Sequence, residues 1–152
     1  MKKTNEAQNM PDLKKTTDDL NKLIKEKKDV TDFLKENSNE FMFSNVQELL
    51  EFHIKTKGLK KSEVLERANI AKSYGYEILN GGKSPSRDKY IAICFGMKLN
   101  LNETNRVLKQ AGLSELYVRK PRDAIIISAI YQGKSLIETN EKLDELGEDP
   151  IM

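Results

Sequence analysis

His53 and Cys94 are the only histidine and the only cysteine of the chain, so nucleophilic or metal-assisted chemistry would have to be built around them. Neither has the company this requires. No second histidine and no acid cluster stands at ligand spacing from His53, which reads as a surface or partly buried helix residue. Cys94 lies in the apolar run Tyr90-Ile91-Ala92-Ile93-Cys94-Phe95, where a thiol behaves as a small, inert hydrophobe. Standing alone, it excludes an internal disulfide and a cysteine-built metal site. Gly81-Gly82 follows a helical pattern instead of a strand, so it reads as a helix stop and not as a phosphate-cradling loop. No Ser/His/Asp or Cys/His set and no paired-carboxylate site stands out. The sequence points away from an enzyme, and no metal or cofactor is expected.

What remains is hydrogen bonding and charge pairing, and the stretch Gly58 to Ser86, GLKKSEVLERANIAKSYGYEILNGGKSPS, is where it concentrates. Val64, Leu65 and Ala68 recur at helical spacing in a first short pattern, Tyr74, Ile78 and Leu79 in a second. Between them lies the corner Ala68-Asn69-Ile70, where a positive φ is expected at Asn69 because Asn tolerates it. Burying Tyr74, Ile78 and Leu79 leaves Lys72, Ser73, Tyr76, Glu77 and Asn80 on the outer side of the second helix. Two helices held at a steep angle by small packing residues, the second exposed along one side, make a helix-turn-helix.

In these residues the chain resembles the lambda-repressor-like (Cro/repressor, XRE) helix-turn-helix family. The match runs without a gap from Gly58-Leu59 through Ile78, Gly81 and Pro85-Ser86 to Gly96, roughly a third of the chain, and flanking helices extend it to about half. The resemblance implies sequence-specific binding of double-stranded DNA, with the second helix in the major groove. By position it makes Lys72, Ser73, Tyr76 and Glu77 the base readers. Lys suits guanine O6/N7, Glu suits cytosine N4, and Tyr76 offers a hydroxyl and a ring to a thymine methyl. Lys61, Asn80, Lys83, Ser86, Arg87 and Lys89 are the expected phosphate contacts. Against the family pattern, Lys60 and Ala71 replace helix caps, Lys61 stands where Gln is common, and Gly75 replaces a buried aliphatic. A lost cap and an interior glycine each cost about 1 kcal/mol, so a weakened recognition helix is expected.

Charge supports this placement. The net charge of +2 hides a net of zero over residues 1–44, +7 over 45–122 and −5 over 123–152. The positive excess coincides with the motif, as phosphate binding requires. Glu77 and the acidic C-terminal segment leave a second reading open: a protein–protein adaptor that keeps the fold but has lost DNA binding.

The elements around the motif give an all-α protein: a lambda-repressor-like five-helix helix-turn-helix domain over 44–113, an N-terminal polar and helical arm over 1–43, and a C-terminal helical hairpin over 114–152 packed on the domain. The first dozen or so residues are polar and lack periodicity, which reads as disorder. Thr17-Asp18-Asp19 caps a helix with Leu20, Leu23 and Ile24. Val30, Phe33 and Leu34 suggest another, and Ser44-Asn45-Val46-Gln47 opens the first core helix. The opening Met1-Lys2-Lys3-Thr4 runs into polar residues and no stretch reaches the length of a membrane span, so a cytoplasmic protein without membrane contact is expected.

An internal repeat at an offset of 35 residues closes the chain. Arg87-Asp88-Lys89-Tyr90-Ile91 matches Arg122-Asp123-Ala124-Ile125-Ile126, Leu101–Leu108 matches Leu136–Leu143, and Gly112 matches Gly147. Each copy reads as a helical hairpin with a capping box, Asn100 with Glu103 and Ser135 with Glu138. Two amphipathic hairpins with common caps could also look alike by chance; either way, two further helices follow the motif. The segment Pro121–Gln132 is apolar almost all round and must be covered on more than one side. Arg106, Lys109, Glu141 and Lys142 on its neighbours call for solvent. That leaves Ile126, Ile130 and Tyr131 to a second copy in a homodimer, or to the N-terminal arm. The arm and the acidic C-terminal segment are also the expected surfaces for a protein partner.

Overall fold

Six helices open on a side chain that accepts a hydrogen bond from a backbone N–H two or three residues ahead, the donor group a helix start leaves free. Thr16 opens α1 (Thr17–Glu26), Asp29 opens α2 (Val30–Glu36), and Asn45 opens α3 (Val46–Thr56). Ser86 opens α6 (Arg87–Gly96), Asn100 opens α7 (Leu101–Gln110) and Ser135 opens α9 (Leu136–Glu145). The other three, α4 (Lys61–Arg67), α5 (Lys72–Leu79) and α8 (Pro121–Tyr131), have no side-chain cap at Lys60, Ala71 or Lys120. A computed structural model describes residues 14–27 and 29–152, and among the described residues there are nine α-helices and no strand. The described residues are therefore all-α. The disorder read for the first dozen residues lies outside the described residues. Two caps sit one residue from their expected place: Thr16 instead of Thr17, and Asn45 as the cap with Glu48 reaching back to the Ser44 N–H.

Lacking caps, α4 and α5 are held by packing. Asn69 takes φ +55° at the corner, and the N–H groups of Asn69 and Ile70 close α4 on the carbonyls of Glu66 and Leu65. The two helices then approach so closely that a Cβ on Gly75 would lie 2.4 Å from Leu65 Cδ2. Leu65 is fully buried, so its side chain would have to shift within the core to admit a Cβ there. Gly75 is thus a packing residue, and reading it only as a weak point of the helix is corrected. Gly96 does the same for α6 on α4, where a Cβ would lie 2.3 Å from the Val64 carbonyl oxygen. The Arg67 guanidinium donates to the Gly96 carbonyl at 2.8 Å and locks the crossing.

One apolar core runs from α3 to the chain end, through Leu49, Leu65, Ile78, Ile91, Ile93, Leu108, Ile126, Leu143 and Ile151. Helix α6 is its axis: Tyr90 through Cys94 are all buried, the condition expected of a helix apolar on every side. Burial pushes the Cys94 thiol up to about 12, so it stays protonated and inert. Helix α8 is covered by both α9 and α7: Ile126, Ile127 and Ala129 are buried and Ala124, Ile125 and Ile130 half-buried, while Ser128 and Tyr131 face solvent.

The N-terminal arm is fastened elsewhere. Phe33, Phe41, Phe52 and Phe43 form a chain of ring contacts from α2 to α3, with centroids 5.1–6.0 Å apart. Arg106 of α7 lies over the Phe43 ring and donates to the carbonyls of Ser38 and Phe41. Its expected exposure is corrected: Arg106 is half-buried and pins the arm to α3 and α7.

The repeat is real in three dimensions. Arg87 donates to both carboxylate oxygens of Asp123 and to the carbonyls of Ser114 and Glu115. At equivalent positions, Arg122 donates to both oxygens of Asp88 and to the carbonyls of Asp149 and Pro150. The N–H groups of Tyr117 and Met152 complete Asp123 and Asp88, and Asn105 and Asn140 accept from Leu116 and Ile151. Positive φ recurs at Lys98 and Gly133 and at Gly112 and Gly147. When residue i meets j and the counterpart of j meets the counterpart of i, the contact is isologous. Here two hairpins of one chain make it.

Candidate nucleic-acid interface

Helix α5 divides cleanly. Gly75, Ile78 and Leu79 are buried and Tyr74 is half-buried, while Lys72, Ser73, Tyr76, Glu77 and Asn80 are exposed. The helix ends on Gly81 at φ +86°, with Gly81 N–H on the Ile78 carbonyl and Gly82 N–H on that of Glu77. This left-handed stop turns the chain out of α5 into the loop that carries Lys83.

The expected phosphate contacts fare unevenly. Lys83 Nζ stands 3.9 Å from Glu77, an exposed pair, and Lys61 Nζ stands 3.2 Å from Glu51. Both are solvent-screened pairs that an anion can displace. Ser86 spends its hydroxyl on the Lys89 N–H as the α6 cap, and Lys89 is half-buried. Asn80 is exposed at the end of α5. Arg87 is the correction: all its donors in contact go to Asp123 and to two carbonyls, with the guanidinium 3.0 Å from Asp123. It builds the hairpin contact and has no fork left for phosphate.

Of the stripe assigned to a second copy, Ile126 is fully buried within the chain and offers no outward surface. Ile130 is half-buried and borders a groove of about 670 Å³ with Phe95, Leu136 and Ile137, and Tyr131 is 75% exposed beside it.

A buried polar group escaped the sequence reading. His53 is 2% exposed, deeper than the surface or partly buried position expected of it, with Nδ1 3.8 Å from Glu103, whose carboxylate pairs with Lys57 at 3.1 Å. Burial pulls the imidazole down to about 4, helped by Lys57 and Arg106 and opposed by Glu103. It is neutral at physiological pH, and its Nε2 has no hydrogen-bond partner among the described residues. The one signal in the sequence is its spacing: His53 stands four residues after Leu49 and three after Leu50, on the apolar face of α3. Among the described residues no three His, Cys, Asp or Glu side chains gather to hold a metal, and no helix is long and apolar enough to cross a membrane.

Compared with known protein families, with curated proteins and with solved structures, the chain has no significant match.

Proposed function

We propose that this chain is a sequence-specific double-stranded DNA-binding regulator, of repressor type, built on a lambda-repressor-like domain of α3 to α7. The observation that carries the proposal is the division of α5: one side seated against α4 through Gly75, the other presenting Lys72, Ser73, Tyr76, Glu77 and Asn80 to solvent. A helix fixed along its back and free along its polar front is what entry into a major groove requires. Lys72 and Tyr76 are the principal base readers in this reading, with Ser73 permissive and Glu77 facing a cytosine amine. Lys61, Lys83 and Lys89 serve the backbone, and the net of +7 over 45–122 supplies the long-range attraction. A homodimer through Ile130 and Tyr131 belongs to the same proposal.

A specific observation favours the adaptor as the second reading. Arg87 is occupied by Asp123 and Glu77 sits on the presented row, so this face is less basic than the sequence suggests. Binding of the intact protein to genomic DNA fragments at two salt concentrations separates the two. The regulator retains particular fragments, and Lys72→Ala with Tyr76→Ala abolishes the preference while non-specific binding persists. Absence of any complex at low salt would sink the DNA reading in favour of the adaptor.

A further inference from the structure

The internal twofold has a consequence for the surface next to α6. It relates the loop that leads into α6 to the connector that leads into α8: Lys83-Ser84-Pro85-Ser86 stands against Val118-Arg119-Lys120-Pro121 at the 35-residue offset. Both segments precede an Arg-Asp pair, and the reciprocal Arg87–Asp123 and Arg122–Asp88 contacts hold the two helix starts together. Arg87 at the start of α6 also donates to the Ser114 and Glu115 carbonyls, so the connector begins beside that helix start.

The connector is fixed at both ends. Leu116 is buried and its N–H is bound by Asn105 at 2.8 Å. The N–H of Tyr117 donates to Asp123, and that of Lys120 donates to the Tyr117 carbonyl. Between these anchors the side chains point outward: Tyr117 is 50% exposed, Val118 67%, and Arg119 and Lys120 are exposed as well. Neither Arg119 nor Lys120 makes an ion pair among the described residues, in contrast to Lys61, Lys83 and Arg87. Two uncompensated cations on a rigid turn form a charged surface with no structural use for its charge.

We infer that Tyr117–Lys120 is a second backbone-contacting element for duplex DNA, with Arg119 and Lys120 on phosphates beyond the stretch faced by α5. The inference rests on the DNA-binding reading above. It assigns to the connector the anionic partner that Arg87, held by Asp123, does not take. The connector adds affinity without sequence preference, since phosphate contacts carry no base information.

The test uses the full chain carrying Arg119→Ala and Lys120→Ala together, and a DNA fragment that the wild type binds. Affinity is followed from low to moderate salt. Loss of two phosphate contacts lowers the slope of log K against log salt by about two and weakens all sequences alike, leaving their ranking intact. The charge-preserving Arg119→Lys with Lys120→Arg restores the slope. If the alanine variant keeps the wild-type slope and affinity, the connector is no contact, while the α5 reading stands. A charge-preserving variant as weak as the alanine one would make the loss structural and overturn the inference as well. Absence of DNA binding by the wild type at low salt removes both proposals together.

Discussion

Arg87 and Asp123 lie 36 residues apart in the sequence and meet through a two-pronged contact, with guanidinium nitrogens 3.0 and 3.3 Å from the two carboxylate oxygens. Asp123 is 3% exposed and also accepts the Tyr117 N–H, so the carboxylate has no need of water. The counterpart pair, Arg122 with Asp88, is more open. One contact fixes the order of the two hairpins, closes the end of the first, and withdraws a cation from the surface next to α5.

Asp123→Ala should therefore destabilise the chain by about 3 kcal/mol, because it leaves the Arg87 guanidinium short of its partner in a mostly buried position. Asp88→Ala should cost about 1 kcal/mol, since water can replace a carboxylate there. Urea denaturation of the two variants measures the difference. Equal costs would show that the two halves of the exchange are equivalent and that burial does not govern them.

Gly75→Ala sets two effects against each other. Helix propensity gains about 1 kcal/mol from the added methyl, while forcing it against the buried Leu65 costs about 1–3 kcal/mol. A net loss is expected, visible as a lower melting temperature. The loss should shrink in a Leu65→Val background, which opens room beside the new methyl. Gly96→Ala should be worse, because the obstacle is the Val64 carbonyl oxygen at 2.3 Å and backbone cannot step aside.

His53 makes stability depend on pH. Its folded pKa of about 4 lies below the ordinary 6.5, so between those values the unfolded chain binds the proton that the folded chain refuses. Stability is full above about pH 6.5 and falls as the pH drops towards 4, by up to roughly 3 kcal/mol in total. Glu103, Lys57 and Arg106 face the ring and shape the drop. Urea midpoints at about pH 7.5 and pH 5 should differ, and His53→Gln should flatten the difference. A wild-type midpoint unchanged across the window would mean that the imidazole is not held neutral.

Glu77→Gln removes a negative charge from the presented row of α5 and frees Lys83 from its neighbour at 3.9 Å. On the DNA-binding reading, affinity for all duplexes should rise several-fold at low salt, because the carboxylate that repels phosphate and competes for Lys83 is gone. Preference at a cytosine-containing position should relax at the same time. Electrophoretic mobility on matched and mismatched duplexes reports both, and an unchanged affinity would place Glu77 away from the DNA.

Sequence alone determined what is decided within about four residues along a helix. The capping boxes at Asn100 and Ser135, the positive φ of Asn69, the stop at Gly81 and the two sides of α5 all depend on neighbours one turn away, and the residue types carry them. The duplication was visible too, because caps and stops recur at one spacing. Tertiary structure decided everything that depends on a distant partner. Gly75 reads as a weak point until Leu65 occupies the space of its missing side chain, and Arg87 reads as a phosphate ligand until Asp123 closes on it. His53 reads as a surface or partly buried residue until α7 and the arm cover it, and Ile126 reads as an interface until the core takes it in. A side chain's type sets what it can bond or fill; which atoms lie within 4 Å of it is set by helices crossing from elsewhere in the chain, and no local spacing encodes that.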